Sequence, residues 1–150
     1  MAMRPTGIQS AISAATATSF HRVQLAATGI TIQLTEFGIS LNAAPNSTVA
    51  PVQWDIERST TLGTGSAGTE VKLNDAQPET LITTATINHT VDGTPADIAH
   101  SLFVPNVSGV IWVAAPGREM DCIAGEFISV INQAALGASI SAAVYMVWEE

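Results

Sequence analysis

Alternation of apolar and polar residues with a period of two recurs along this chain and limits what it can fold into. Val52, Trp54 and Ile56 alternate with polar neighbours, and the closing segment 139–148 carries apolar residues in both phases. A period of two is the repeat of a β-strand, because successive side chains point to opposite faces of a sheet. Gly, Pro and Asn turns separate seven or eight such segments, and no long helical pattern interrupts them. We therefore predict an all-β protein.

Strands joined by short turns in this number are typical of a sandwich or a barrel. We expect a jelly-roll-like antiparallel β-sandwich, because that fold uses about eight strands with long end loops. An immunoglobulin-like sandwich is the alternative, but the Cys…Trp…Cys spacing of antibody domains is absent. The apolar phase changes between residues 30–34 and 37–41, which predicts a β-bulge near Thr35 and Glu36.

The first 20 residues are dominated by small side chains and contain few large apolar ones. Such a segment cannot form its own core, so we predict an extended N-terminal arm over 1–20 and one sandwich domain over 21–150. A chain of 150 residues can bury a core without disulfides. Its single cysteine, Cys122, excludes an intrachain disulfide, and we interpret it as a half-buried, unreactive thiol.

The charge balance restricts the partners. Five Lys and Arg residues stand against thirteen Asp and Glu residues, a net charge of −8, whereas nucleic-acid binding needs clustered cations. The chain has no basic face for an acidic membrane, no transmembrane-length segment and no signal-peptide core. Only 12% of residues are charged while 47% are apolar, so we expect another subunit or a partner to cover part of the surface.

No group of residues predicts a metal ion or a phosphate site. His21, His89 and His100 lack the spacing of metal ligands, and we interpret them as surface or loop residues. Scattered loop carboxylates leave calcium binding open as an alternative. The glycine-rich segment 60–69 matches neither a phosphate-binding loop nor a serine-nucleophile elbow, and we interpret it as a flexible loop.

Asp55 and Glu57 share a strand face and have the spacing of a glycosidase pair. Alternation alone explains that spacing, and we interpret the pair as part of a solvated strand face. Trp54, Trp112 and Trp148 lie within strand patterns, which favours core packing, although a Trp is also a frequent interface anchor. The sequence therefore predicts no enzyme activity, no catalytic residues, no cofactor and no small-molecule substrate.

Three parts of the sequence carry a family resemblance. They are residues 34–41 (LTEFGISL) with 51–58 (PVQWDIER) and the loop 60–68, then 115–119 (APGRE) with 124–126 (AGE), and last 145–150 (YMVWEE). Together they resemble the small capsid decoration (cement) proteins of tailed bacteriophages and related phage structural proteins. The resemblance extends over most of residues 30–150 and contains no catalytic motif.

This resemblance implies a jelly-roll-like domain made in the cytoplasm of a host bacterium and assembled as a homotrimer on the capsid exterior of the virion, where it clamps neighbouring major capsid proteins. We expect the arm and the strands 110–113 and 127–131 to make the contacts. The candidate interface residues are Arg4, Pro5, Ile8, Ile12, Val110, Trp112, Phe127 and Trp148. The alternatives are another virion role, in the tail or at the head–tail junction, and a carbohydrate- or receptor-binding module.

Overall fold

A computed structural model describes residues 5–14, 21–43, 51–134 and 140–150. These residues contain no helix, which confirms the all-β prediction. They form twelve strands: β1 (Thr6–Ala14), β2 (His21–Ala26), β3 (Ile32–Ala43), β4 (Pro51–Ser59), β5 (Thr64–Ala67), β6 (Val71–Lys72), β7 (Thr84–Val91), β8 (Pro95–Pro105), β9 (Gly109–Val113), β10 (Met120–Cys122), β11 (Phe127–Asn132) and β12 (Ile140–Glu149).

The strands form two antiparallel six-stranded sheets in a sandwich-like arrangement. Sheet A has the order β10-β3-β12-β1-β6, and β9 pairs with β3 on the same edge as β10, further along the strand. Sheet B has the order β5-β7-β2-β11-β4-β8. The sandwich prediction is confirmed at this level, while the jelly-roll connectivity stays a prediction.

The core lies between the sheets and is made of their inward-facing apolar side chains. Trp54 of β4 and Trp148 of β12 are both fully buried, which confirms core packing for these two tryptophans. Apolar residues of β11 are buried in both phases, as its continuous apolar run predicts. Other large, fully buried side chains are Phe37, Leu25, Ile32, Leu34, Ile39, Ile56, Ile128, Ile131 and Met146.

The predicted bulge in β3 is present. Val147 pairs with Glu36, and the next residue, Trp148, pairs with Leu34, so Thr35 is the extra residue. The Thr35 hydroxyl donates to the Val147 carbonyl oxygen at 3.1 Å. The bulge keeps apolar residues on the inner face of β3 before and after the phase change.

The described part of the predicted arm is a strand of the chain's own sheet. Residues 6–14 are extended, as expected, and pair with β12 along their whole length and with β6 at Gly7 and Ile8. A Cβ at position 7 would lie 2.3 Å from the Trp148 indole, so only glycine leaves room for that ring. Residues 1–4 and 15–20 lie outside the described residues.

Two segments that we predict to be irregular are strands. The turn residues at 92–95 predict an irregular segment over 91–105, with one possible helical turn at 97–102, but residues 95–105 form the eleven-residue edge strand β8. Most β8 side chains are exposed on both faces, so no apolar–polar alternation marks the strand in the sequence. Within the predicted flexible loop 60–69, residues 64–67 form β5 and pair with β7.

Candidate interaction surface

Rows of small side chains cross the outer face of sheet A. Tyr145 of β12 pairs with Ser10 of β1 on one side and with Gly38 of β3 on the other, and Gly38 pairs with Ile111 of β9. The next row in register is Ile12, Ala143, Ser40 and Gly109. Most of these residues are small, so the centre of the face is a shallow depression beside Tyr145.

The Tyr145 side chain lies across β3. A Cβ at position 38 would be 2.1 Å from Cε1 of Tyr145, so the ring occupies space that only a glycine leaves open. The Tyr145 hydroxyl donates a hydrogen bond to the Glu36 carboxylate. Burial and the neighbouring Glu36 raise the pKa of Tyr145 to about 12, so the hydroxyl stays protonated and remains the donor.

A groove of about 540 Å³ runs beside this ring. The residues that line it are Ser10, Gly38, Ile39, Ser40, Gly109, Val110, Ile111, Ala143, Val144 and Tyr145. None of them is charged. We call the outward-facing residues Ser10, Gly38, Ser40, Ile111, Val113, Ala143 and Tyr145 the open face.

Charged residues stand at one end of the open face. Glu36 belongs to the row of Val113 and Val147, and its carboxylate accepts the Tyr145 hydrogen bond. One row further, Glu149 pairs with Gln33, and Gln33 pairs with Asp121. The two central rows are therefore free of charge, and the carboxylates border them.

Large apolar side chains are exposed on the edge strands β9 and β8. Ile111 and Val113 of β9 are 65% and 62% exposed, and Phe103 and Ile98 of β8 are 67% and 55% exposed. Both are edge strands among the residues that the structure describes, where β9 pairs only with β3 and β8 only with β4. A long edge with exposed apolar groups is a site for association unless something covers it.

The predicted interface residues fall into different environments. On β9 the predicted residues Val110 and Trp112 are both half-buried on the inner side, and Trp112 stacks on Phe37 with ring centroids 5.4 Å apart. Ile111 and Val113, which our prediction omitted, are the exposed residues. An apolar run without alternation cannot reveal which phase faces outward.

The other candidates are divided between the core, the arm and the undescribed residues. Trp148 is fully buried, so it is a core residue of this chain and offers no surface to a partner. Phe127, Pro5 and Ile8 are half-buried, and the Pro5 carbonyl oxygen accepts the Glu150 amide at 3.1 Å. Ile12 takes the register position beside Ala143, but its side chain and all of Arg4 lie outside the described residues.

The outer face of sheet B has a different composition, and the prediction of a solvated strand face there is wrong. Asp55 and Glu57 are only 1% and 3% exposed. Asp55 Oδ1 accepts a hydrogen bond from the Ser101 hydroxyl at 2.6 Å. Glu57 shares a row with Ser129 and Gln24, across β4, β11 and β2, and all three side chains are buried.

Glu57 is the least compensated of these polar groups. Its Oε1 atom is buried and has no hydrogen-bond partner. Burial, and then the negative charges of Asp92 and Asp55, raise the pKa of Glu57 from 4.5 to about 7. A buried carboxyl group without a cation is expected to take up a proton, because desolvation disfavours the charged form.

Residues 60–63 and 92–94 cover part of this polar face, and we call them the roof. The Thr60 amide donates to the Thr94 carbonyl at 3.0 Å, and the Thr94 amide donates to the Thr61 hydroxyl at 2.7 Å. The Gly63 amide donates to Gln24 Oε1 at 3.1 Å, and Gln24 Nε2 donates to Ser59 Oγ at 3.0 Å. The hydrogen bond that buried Gln24 accepts from Gly63 thus connects the roof to the sheet.

His89 of β7 lies beneath Gly63 and Gly65, so its interpretation as a surface or loop residue is wrong. It is 2% exposed, and its Nε2 atom lies 2.7 Å from Thr86 Oγ1. A Cβ at either glycine would be 2.5 Å from the imidazole ring. Burial lowers the pKa of His89, which favours the neutral ring.

The remaining predicted groups show no reactive arrangement. His100 is exposed, 6.4 Å from both Phe37 and Trp112 by ring centroids, and the His21 side chain lies outside the described residues. Cys122 is fully buried, more than we expected, and burial raises its pKa to about 12. Such a thiol is a poor nucleophile, because the reactive form is the thiolate.

Comparisons with known proteins identify no relative. No family model, no curated protein and no solved structure matches this chain. In the ranges that the structure describes, no group of three His, Cys, Asp or Glu residues is arranged to hold a metal ion. A search of the same ranges for a helix of the length and apolarity needed to cross a membrane finds none.

Proposed function

We propose that this chain is a non-catalytic structural protein of a tailed-phage virion, which binds the outer surface of an assembled capsid as a trimer and clamps neighbouring major capsid proteins. The observation that carries the proposal is the uncharged open face next to an edge strand with exposed Ile111 and Val113. The family resemblance of the sequence supplies the virion context. The expected localisation is therefore the capsid exterior.

The area of the open face can be compared with the area that a stable trimer contact buries. Four strands about 4.8 Å apart and three rows about 6.8 Å apart make a patch of roughly 400 Å². A stable interface buries about 800 Å² on each partner. The open face therefore supplies about half of one contact, and a second apolar surface has to supply the rest.

The edge strand β8 is the second surface that we assign to the contact. It exposes Phe103 and Ile98, and it belongs to the other sheet. We propose that the open face and β9 of one subunit receive β8 of the next. Contacts between two different surfaces can close into a ring, and three subunits make the ring that the family resemblance implies.

Charge supports a second copy as the occupant of the open face. Each chain has a net charge of −8, so like chains repel wherever acidic surfaces meet. The central rows of the open face carry no charge, and the nearby Glu36 carboxylate is hydrogen-bonded to Tyr145. This is a surface that two acidic chains can share without placing carboxylates opposite one another.

Of the alternatives, a carbohydrate-binding module would use exposed aromatic rings. Trp54 and Trp148 are fully buried, Trp112 stacks on Phe37, the Tyr145 hydroxyl is bonded to Glu36, and the exposed Phe103 does not line the groove. No observation on the described residues favours sugar binding over subunit contact.

The oligomeric state tests the subunit contact. We expect sedimentation equilibrium of the wild type to give three times the chain mass of 15.6 kDa. Ile111→Lys places a charge in the contact and is expected to give monomers. Val91→Lys is the matched control, since Val91 is 56% exposed on β7 and lies outside the contact. A monomeric wild type, or an Ile111→Lys trimer, would contradict the contact.

A mixture of two variants tests the ring. Phe103→Lys is expected to be monomeric as well, because it damages the other surface of the same contact. Mixed with Ile111→Lys, it offers its intact open face to the intact β8 of the first variant. We expect a one-to-one dimer that cannot close. A contact between two copies of the open face would give no such dimer.

Co-sedimentation tests capsid binding separately. We expect the wild-type trimer to sediment with assembled tailed-phage capsids and not with unassembled capsid protein, since a clamp that binds only the lattice stabilises it by mass action. A trimer that ignores capsids and sediments with tails would replace the capsid role by a tail role.

A further inference from the structure

The outer face of sheet B holds a carboxyl group whose ionisation conflicts with its surroundings. Glu57 is 3% exposed, its Oε1 atom has no hydrogen-bond partner, and its row neighbours Ser129 and Gln24 are neutral. Within a protein, an uncompensated buried carboxylate is far less stable than the neutral acid. The site therefore favours a protonated Glu57.

Among the described side chains, the charged and titratable groups around Glu57 offer little compensation. Asp55 on the same strand and Asp92 in the roof are both acidic, and His89 on β7 is held towards its neutral form by burial. Arg58 is directed elsewhere, with Nη1 2.8 Å from Asp97 Oδ2 and Nε bonded to the Asp121 carbonyl oxygen. On β2 the ionisable residues are His21 and Arg22, and the side chains of both lie outside the described residues.

The roof is the element whose position can change when Glu57 ionises. It contains Asp92, so part of the repulsion acts directly on it. Its attachments to the sheet are single hydrogen bonds, from Gly63 to Gln24 and from Ser59 to the Thr61 carbonyl oxygen at 3.2 Å. Gly93 lies so close to Thr61 that a Cβ would be 2.3 Å from its carbonyl oxygen, so the two halves of the roof move together.

We propose that the roof is a pH-dependent closure: protonated Glu57 keeps residues 60–63 and 92–94 closed on sheet B, and ionised Glu57 releases them. Release exposes the polar row of Gln24, Ser129 and Glu57 to water and relieves the repulsion between Glu57 and Asp92. The trimer contact uses sheet A and β8, and its part nearest to the roof is Ile98 of β8, which pairs with Glu57.

The difference in the pKa of Glu57 between the closed and the open roof sets the direction and the size of the pH dependence of opening. The Glu57 pKa is about 7 when the roof is closed and near 4.5 when the group is exposed to solvent. The opening equilibrium therefore rises between pH 4.5 and 7 and is constant above 7. A difference of about 2.5 pKa units corresponds to an increase of up to about 300-fold in the opening equilibrium.

Amide hydrogen exchange measured by NMR on the full chain tests the proposal. The reporter is the Gly63 amide, which donates the hydrogen bond that connects the roof to Gln24 of the sheet. After correction for the intrinsic exchange rate, we expect its protection in the wild type to fall by about 80-fold from pH 4.5 to 7, which is most of the full range on a logarithmic scale. Glu57→Gln is expected to remove this fall, and the exposed Asp75→Asn is the matched control that keeps it.

Asp92→Asn supplies a second test that does not depend on the folding of the Glu57 variant. Removing this negative neighbour lowers the pKa of Glu57 in the closed state, so the fall in protection becomes smaller and ends at a lower pH. The proposal is overturned if wild-type protection is flat from pH 4.5 to 7. It is overturned equally if Glu57→Gln keeps the wild-type profile, or if Asp92→Asn leaves that profile unchanged.

Discussion

The two outer faces of the sandwich differ in what covers them. On sheet B, polar residues such as Gln24 and Glu57 are buried under a roof that the chain itself provides. On sheet A, the open face has small, uncharged residues in its central rows, and β9 leaves Ile111 and Val113 exposed. The outer face of sheet B is thus a polar layer covered by the chain itself, whereas the outer face of sheet A is a surface that another molecule can cover.

The difference between the faces also shows that a polar strand face is not always exposed to solvent. The roofed face is the more polar of the two, yet its residues are the more deeply buried. Buried polar groups are stable where hydrogen bonds satisfy them, as Gln24 is by Gly63 and Ser59. The open face has few polar groups to satisfy, which suits burial against a second protein surface.

Of the predicted changes in the free energy of unfolding, the largest should come from replacing Gln24 by alanine on the roofed face. The change leaves the Gly63 amide without its acceptor, removes the donor to Ser59 Oγ and opens a cavity, and we expect a loss of about 4 kcal/mol in the free energy of unfolding. Ser10→Ala on the open face is the counterpart and should change stability by less than about 0.5 kcal/mol. Urea denaturation measures both; equal losses would show that the two faces are not differently covered.

The next largest change in the free energy of unfolding should come from raising the pH. Glu57 has a raised pKa in the folded state, so its stabilising contribution is complete below pH 4.5 and is lost as pH rises through about 7. The loss amounts to about 3 kcal/mol. His89, with a lowered pKa, acts in the opposite sense, because its contribution is present above pH 6.5 and lost at lower pH.

Denaturant titrations across pH 4 to 8 can separate the two groups. Glu57→Gln should remove the loss between pH 4.5 and 7 and retain the acid-side loss from His89. A Glu57→Gln curve parallel to that of the wild type would assign the pH dependence to other groups and would remove the main electrostatic difference between the faces.

A smaller effect is expected from Gly38→Ala on the open face. The new Cβ would collide with the Tyr145 ring, which lies 2.1 Å from that position, and we expect a loss of about 2 kcal/mol. In a Tyr145→Ala background the same change should cost almost nothing, because the ring is absent. A double-mutant cycle measures this coupling, and additive losses would show that Tyr145 does not lie over β3.

The smallest effect on folding is expected from Ser40→Lys. Ser40 is exposed on the open face, so the change should alter the free energy of unfolding by less than about 0.5 kcal/mol. The same change should abolish the trimer, because it buries a charge in the contact. Ser66→Lys on the exposed strand β5 is the control that should leave the mass unchanged. A Ser40→Lys trimer would contradict the assignment of the open face.

Sequence reasoning succeeds where a strand has one buried face. The alternation around Trp54 and the phase change at Thr35 correspond to β4 and to the β3 bulge, because the core imposes its period on the residues that face it. The same reasoning misses β8, whose side chains are mostly exposed and show no period.

The sites were harder to predict because they depend on contacts between distant residues. Nothing local to Glu57 indicates that residues 60–63 and 92–94 fold over its face, so its burial could not be inferred from alternation. The run 110–113 is apolar throughout, and only its pairing with β3 shows that Ile111 and Val113 point outward. One signal was present: a net charge of −8 with only 12% charged residues indicated a covered surface without locating it.

Hydroxyl-radical footprinting of the protein at high and low concentration tests the central claim, that the open face and β8 form a subunit contact and the roof over Gln24, Ser129 and Glu57 does not. We predict that Ile111, Val113 and Tyr145, together with Phe103 on β8, are protected in the assembled protein and become labelled on dilution. Val91 and Ile82, exposed outside the contact, should be labelled equally at both concentrations. Unchanged labelling of Ile111 and Val113, or protection confined to Val91 and Ile82, would contradict the account.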